Sequence, residues 1–207
     1  MNVINKKEHW EKVYETKNPN EVSWTQAYPK TSIDLINSFK QQKSSSIIDI
    51  GGGDSLLVDF LLKEGYNNIT VLDISKKAID RAKKRLSDKA NEVKWIVSDI
   101  TNFKPKGNYD IWHDRAAFHF LNTEKDIEKY ASIAGKSVLK NLIIGTFSND
   151  GPLKCSGIEI VQYNEISMEN VFKNDFEKIN SFKEDHTTPF NTIQNFIFCS
   201  FSKKLLR

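Results

Sequence analysis

Ile47-Ile48-Asp49-Ile50-Gly51-Gly52-Gly53-Asp54-Ser55 is the stretch from which the fold is read. The first four residues form a short apolar run, rich in β-branched side chains, as expected of a strand buried on both faces. Three glycines follow, and they let the chain turn tightly and let a ligand approach the backbone. Residues 54–64 then have helical character and stop at Gly65, a residue suited to closing a helix. Strand, glycine turn and helix in that order make the first half of a βαβ unit.

Working outward, the alternation repeats. Residues 69–73 read as a strand, and 75–87 as a helix with Ser75 as its N-cap. Residues 93–97, 109–113 and 142–147 read as further strands, with a helix over 123–133 before the last of them. Strands alternating with helices predict a parallel sheet. After Ser148 the texture changes to a glycine-bearing loop (149–157), a short strand (158–163) and a short helix (165–172). Two longer β-type stretches, 176–185 and 194–202, predict an antiparallel hairpin at the sheet edge. Upstream, residues 1–45 are polar, with Trp10, Tyr14, Trp24 and Tyr28 at intervals and short helices near 9–14 and 31–39.

Composition bounds the function. A chain of 207 residues suits one domain. With 39% hydrophobic and 28% charged residues, global disorder, collagen and coiled coil are excluded. The net charge of +3 is spread along the chain and calls for no nucleic-acid partner. Cys155 and Cys199 are too few for a disulfide framework and show no metal-ligand spacing, so no metal is expected. Residues 1–8 lack the apolar stretch of a signal peptide, and no run approaches the ~20 apolar residues of a membrane span. A cytoplasmic protein, monomeric or homodimeric, is the expectation.

Asp49 precedes the glycines, Asp73 stands at the end of the second strand 24 residues later, and Asp99 at the end of the third, 26 residues on. In an open α/β sheet these strand ends border the crevice where ligands bind, and an acid after the second strand is placed to accept hydrogen bonds from two ribose hydroxyls. The dinucleotide fingerprint fails, because Leu56 stands where a third glycine is needed. No Gly-Lys-Ser/Thr follows, so the phosphate-binding P-loop fails too. Asp49 also sits where it would repel a pyrophosphate and suit a cation.

The Asp49-x-Gly51-x-Gly53 order resembles motif I of the class I S-adenosylmethionine-dependent methyltransferases. That resemblance covers nearly the whole chain. It implies a seven-stranded, mostly parallel Rossmann-like α/β sheet with helices on both faces and an antiparallel C-terminal strand pair. It implies one domain over 1–207: an N-terminal helical lid (1–45), a cofactor core (46–147), and an acceptor loop with the C-terminal hairpin (148–207). It assigns S-adenosylmethionine to Asp49, Gly51, Gly52, Gly53 and Ser55, to Asp73, Ile74 and Ser75 at the ribose, and to Asp99 and Ile100 at the adenine. Trp10, Tyr14 and Trp24 would be aromatic walls near the sulfonium, or anchors of a helix to the core.

In this fold the end of the fourth strand lies beside the transferable methyl. His113, Asp114 and Arg115 are therefore the candidate catalytic residues, with His113 or Asp114 as general base. The alternatives are that His113 lines the cofactor and that Asp114 and Arg115 pair with each other. His119, Asp150, Cys155, Tyr163 and His186 are candidate acceptor-binding residues, although His119 and Cys155 also suit plain burial. The combination of His9-Trp10, Trp112-His113-Asp114-Arg115, Asp150-Gly151-Pro152 with Cys155-Ser156-Gly157, and His186 resembles a subgroup of compact bacterial methyltransferases, and it implies the cofactor but no particular acceptor. No Asn/Asp-Pro-Pro-Tyr/Phe motif follows the fourth strand, which argues against the usual amino-methylating nucleic-acid and glutamine enzymes. The expectation is methyl transfer to a small molecule such as a thiol, metalloid or amine. The rivals are a protein lysine methyltransferase, a non-catalytic cofactor-binding module and a nicotinamide-dependent oxidoreductase.

Overall fold

A computed structural model describes residues 5–205. The first four residues of the N-terminal stretch read above lie outside that range. Helix α1 (Lys6–Thr16) and helix α2 (Lys30–Ser38) precede strand β1 (Ile47–Ile50). Then come α3 (Leu57–Lys63), β2 (Ile69–Asp73), α4 (Lys76–Leu86), β3 (Val93–Val97), β4 (Tyr109–Arg115), α5 (Glu124–Ser137) and β5 (Val138–Phe147). A two-residue pair, β6 (Lys154–Cys155) and β7 (Ile158–Glu159), leads to α6 (Glu165–Phe172), β8 (Phe176–Thr187) and β9 (Ile193–Lys203).

Seven strands form one sheet in the order β3-β2-β1-β4-β5-β9-β8. β1 to β5 run parallel, and β9 enters antiparallel beside β5 with β8 outside it. The chain moves outward from β1 through β2 to β3, then returns to the other side of β1 for β4. That reversal opens a crevice at the carboxyl ends of β1 and β4, where such sheets bind ligands.

Period-two alternation sorts each strand's side chains between two cores. Ile47, Ile69, Val71, Ile111 and Ile143 pack with α2 and α3 on one face. Ile48, Ile50, Leu72, Trp112, Leu142 and Ile144 pack with α5 and α6 on the other. Burial on both faces explains why β1, β2 and β5 read as continuous apolar runs.

Several boundaries differ from the sequence reading. α3 starts at Leu57 rather than near 54, because Arg85 binds both the carbonyl and the carboxylate of Asp54 and holds it in the turn. β4 runs on to Arg115, and α5 passes directly into β5 at Val138. Of the stretch 158–163, only Ile158–Glu159 pairs as a strand, with Tyr163 making an isolated bridge to Ser148.

Candidate active site

The crevice is walled at one end by Gly51, Asp73, Ile74, Asp99 and Ile100, and at its far end by Trp24, Arg115, Phe120, Phe147 and Cys155. Its floor is made of close approaches. Gly51 has φ +66°, and a Cβ there would lie 2.5 Å from that of Ala117. Gly53 has φ +36°, and a Cβ there would come within 2.6 Å of the Asp73 Oδ2. Both positions therefore need glycine for conformation and for space. Ala116, which also lines the crevice, holds φ +66° without being glycine, a strained conformation of the kind found at working sites.

Asp73 ends β2 buried, with Oδ1 accepting the amide of Ser75 at 2.7 Å. Burial pushes its carboxyl up to about 7, the Ser75 amide partly offsets that, and nearby Asp49 adds to it. Asp99 accepts from the amide and hydroxyl of Thr101, both at 2.8 Å, through Oδ1 alone. Two carboxylates with capacity left for more donors, between the apolar side chains of Ile74 and Ile100, fit a ribose diol and an adenine amine. Ser75 is engaged elsewhere: it caps α4 by accepting from Ala78, and it donates to Glu11. Ser55 likewise accepts from Leu57 at the start of α3.

Asp49 and His113 face each other across neighbouring parallel strands. His113 Nδ1 lies 2.7 Å from Asp49 Oδ1, and its Nε2 lies 2.8 Å from the Ser32 hydroxyl on α2. With Asp49 ionised, Nδ1–H donates and Nε2 accepts from Ser32. Both ring nitrogens are thus occupied, and the ring is buried. His113 orients Asp49 and has no lone pair left to take a proton from an acceptor. Gly52 lies directly over Asp49.

The next residue points the other way. Asp114 accepts the amides of Ala117 (3.1 Å) and Phe118 (3.0 Å) and the Tyr130 hydroxyl (2.8 Å), and Tyr130 in turn accepts Trp112 Nε1–H at 2.8 Å. Burial raises the Asp114 carboxyl to about 6, against those hydrogen bonds. It organises the turn after β4 and does not line the crevice. Arg115 returns to the crevice face, with Nη1 donating to the Trp24 carbonyl at 2.9 Å. Asp114 and Arg115 do not pair with each other.

α1 crosses the crevice with Lys6, Trp10 and Tyr14 facing in. The Trp10 ring lies 5.5 Å from that of Trp24 and 5.0 Å from that of Phe120, edge to face. The helix is tied down by groups the sequence reading missed. Glu11 accepts the Ser75 hydroxyl (2.9 Å) and the amides of Lys76 (2.9 Å) and Lys77 (3.0 Å), so its carboxylate sits on the N-terminus of α4. Desolvation would raise that carboxyl, but the two amides and the hydroxyl outweigh it and hold it below its ordinary value. Arg81 donates to the Lys17 carbonyl at 2.7 Å, and Lys6 to the Phe120 carbonyl at 2.8 Å. Nothing local marks Glu11, because its partners are more than 60 residues away.

The remaining expected acceptor residues are scattered. Cys155 lines the far end of the crevice, with burial pushing its thiol up to about 11. His186 bonds the Ser23 carbonyl at 2.7 Å and braces the segment that carries Trp24. His119 is buried and stacked on Phe147, and burial pulls it down to about 3, so it is neutral. Tyr163 packs on Phe118 in the core with α5 and α6. Asp150 is exposed and pairs with Lys183.

Residues 47–139 match the family model for a methyltransferase domain. Over 84 residues, 40% of this chain, it is 31% identical to malonyl-[acyl-carrier protein] O-methyltransferase 1 of Ilyobacter polytropus, and it spans about 31% of that relative's length. Among solved structures, the N-methyltransferase NodS of Bradyrhizobium japonicum WM9, in complex with S-adenosylhomocysteine, superposes with TM-score 0.74 at 15% identity, covering 94% of this chain and 98% of that one. The 1,6-didemethyltoxoflavin-N1-methyltransferase of Burkholderia thailandensis, with bound 1,6-didemethyltoxoflavin and S-adenosylhomocysteine, gives a TM-score of 0.70 at 12% identity, covering 96% of this chain and 87% of that one. At those identities the two structures attest the fold. The match makes residues 47–139 a methyltransferase domain, and with the superpositions it supports reading the chain as a class I S-adenosylmethionine-dependent methyltransferase.

Proposed function

We propose that this protein transfers the methyl group of S-adenosylmethionine to a small molecule bound at the far end of the crevice. The observation that carries the reading is the buried Asp73 carboxylate at the end of β2, open toward the Gly51–Gly53 turn with Asp99 beside it. Asp73 would hold the ribose hydroxyls, Asp99 the adenine amine, and Ile74 and Ile100 the adenine faces. Asp49, oriented by His113, would face the cationic methionine portion. The bound cofactor supplies a methyl already activated on sulfonium, so the chain's own work is alignment and exclusion of water.

At the acceptor end, Trp24, Phe120 and Phe147 are apolar, Cys155 is a neutral thiol and Arg115 is a cation. His113 is tied at both nitrogens and Asp114 faces the opposite core. The acceptor therefore brings its own nucleophilic lone pair. α1 lies over the crevice and is held at Lys6, Glu11 and Lys17, which favours a small acceptor over a side chain of a folded protein. The bound small molecule named for the Burkholderia neighbour points the same way.

Calorimetric titration with S-adenosylhomocysteine, with NADH as control, tests the cofactor. Micromolar binding of the first alone is expected. Release of S-adenosylhomocysteine from S-adenosylmethionine on addition of small-molecule cell extract tests the transfer. Absence of turnover with every fraction would leave a cofactor-binding module.

A further inference from the structure

Arg115 is an arginine with unused hydrogen-bonding capacity at the acceptor end. A guanidinium carries five N–H donors in a planar fork. Of these, Arg115 spends one on the Trp24 carbonyl, and its Nε–H is shut off from solvent with no partner. Among the described residues it makes no ion pair. The carboxylates that act on it through charge, Glu184 and Asp49, lie beyond ion-pair distance, with Asp49 bonded to His113 and Glu184 to the Thr31 hydroxyl. The guanidinium carbon lies 4.8 Å from the Phe196 ring centroid, so the head group rests against that ring. Burial lowers its pKa to about 10, so it keeps its charge at neutral pH. A guanidinium with Nη donors left over in a largely apolar crevice is costly unless something anionic completes it.

We propose that Arg115 is the anion receptor for the methyl acceptor: the acceptor is a small apolar or aromatic molecule carrying a carboxylate, held by the Arg115 fork between Trp24, Phe120 and Phe147. The inference rests on the methyltransferase reading above. A planar carboxylate matches the fork with two parallel hydrogen bonds. The aromatic walls take up the apolar body of the molecule. The negative charge also offsets two positive charges brought together there, the guanidinium and the sulfonium. Arg115 thereby sets specificity by charge, which apolar walls alone cannot do.

The test is calorimetric titration with benzoate and phenylacetate, and with their neutral amides, on the protein alone and saturated with S-adenosylhomocysteine. The carboxylates are expected to bind at least about tenfold more tightly than the amides, as bonds to a charged partner require. Arg115→Met should erase that preference, and Arg115→Lys should keep part of it. Neither variant should change affinity for S-adenosylhomocysteine or for methylthioadenosine, which lacks the amino-acid portion; that retention also shows that the variants are folded. Equal binding of acids and amides, or no carboxylate binding to either form, overturns the proposal. So does an Arg115→Met variant that loses affinity for S-adenosylhomocysteine but not for methylthioadenosine, since Arg115 would then hold the cofactor's own carboxylate. Failure of wild type to bind S-adenosylhomocysteine sinks the cofactor reading instead, and the protein-alone titration still judges the anion site.

Discussion

Replacing Asp73 by asparagine should weaken cofactor binding and at the same time stabilise the ligand-free protein. The carboxylate is buried, accepts one backbone amide at 2.7 Å, and has its pKa raised to about 7, first by burial. Hydrogen bonds from ribose hydroxyls to a charged acceptor contribute about 1.5–3 kcal/mol, so Asp73→Asn should raise the Kd for S-adenosylhomocysteine by roughly 10- to 150-fold. The pH dependence has a definite sign. Binding favours the ionised form, so wild-type affinity should fall about tenfold between about pH 8 and about pH 6, with a proton released on binding in the lower range. The variant has nothing to titrate there and should give a flat profile. For the ligand-free fold the sign reverses. A carboxyl whose folded pKa lies above its unfolded value loses stability as pH rises from its ordinary range near 3.8 to about 7, so the variant should melt higher than wild type above about pH 7. The assays are calorimetry across pH and thermal denaturation without ligand. An unchanged Kd in Asp73→Asn, or a wild-type affinity independent of pH, would refute the ribose role.

Glu11→Ala should free α1 from the start of α4. The loss of a carboxylate cap with three hydrogen bonds costs about 1–2 kcal/mol, seen as faster amide exchange across 6–16. Because the Glu11 carboxyl is held below its ordinary value, its contribution is present above that value and is lost as pH falls through the folded pKa, so wild-type protection in α1 should decline on acidification. His113→Ala should lower cofactor affinity and melting temperature, because Asp49 loses its buried partner; a drop in turnover with cofactor affinity intact would return His113 to acceptor chemistry. Tyr130→Phe removes the donor to Asp114 and the acceptor for Trp112, so denaturant titration should show a loss of about 1–3 kcal/mol with cofactor affinity preserved.

The crevice wall around the glycine turn was legible in the chain, because its signals are local. Strand, glycine turn and helix follow one another within 18 residues, and each acid stands at the end of its own strand, as Asp73 and Asp99 do. The far end of the crevice was not. His113, Asp114 and Arg115 are adjacent in sequence and share the polar character of a catalytic cluster, yet strand pleating sends them to opposite faces. The parity of β4 could be counted, but which parity meets the crevice depends on where α2 and α5 pack. His119 and Tyr163 resemble pocket residues by type and are buried by their aromatic neighbours Phe147 and Phe118.

By itself the sequence determined the alternation of elements, the parallel sheet with its antiparallel C-terminal pair, and the acids and glycines that border the crevice, since each follows from periodicity or backbone freedom within one short segment. Only the tertiary structure decided that His113 is bound from both sides by Asp49 and Ser32, that Glu11 pins α1 over the crevice, and that Arg115 retains an unpaired donor there. Those are pairings between residues 64 to 91 positions apart, and a hydrogen bond of that span exists only once the fold has brought its partners within 3 Å.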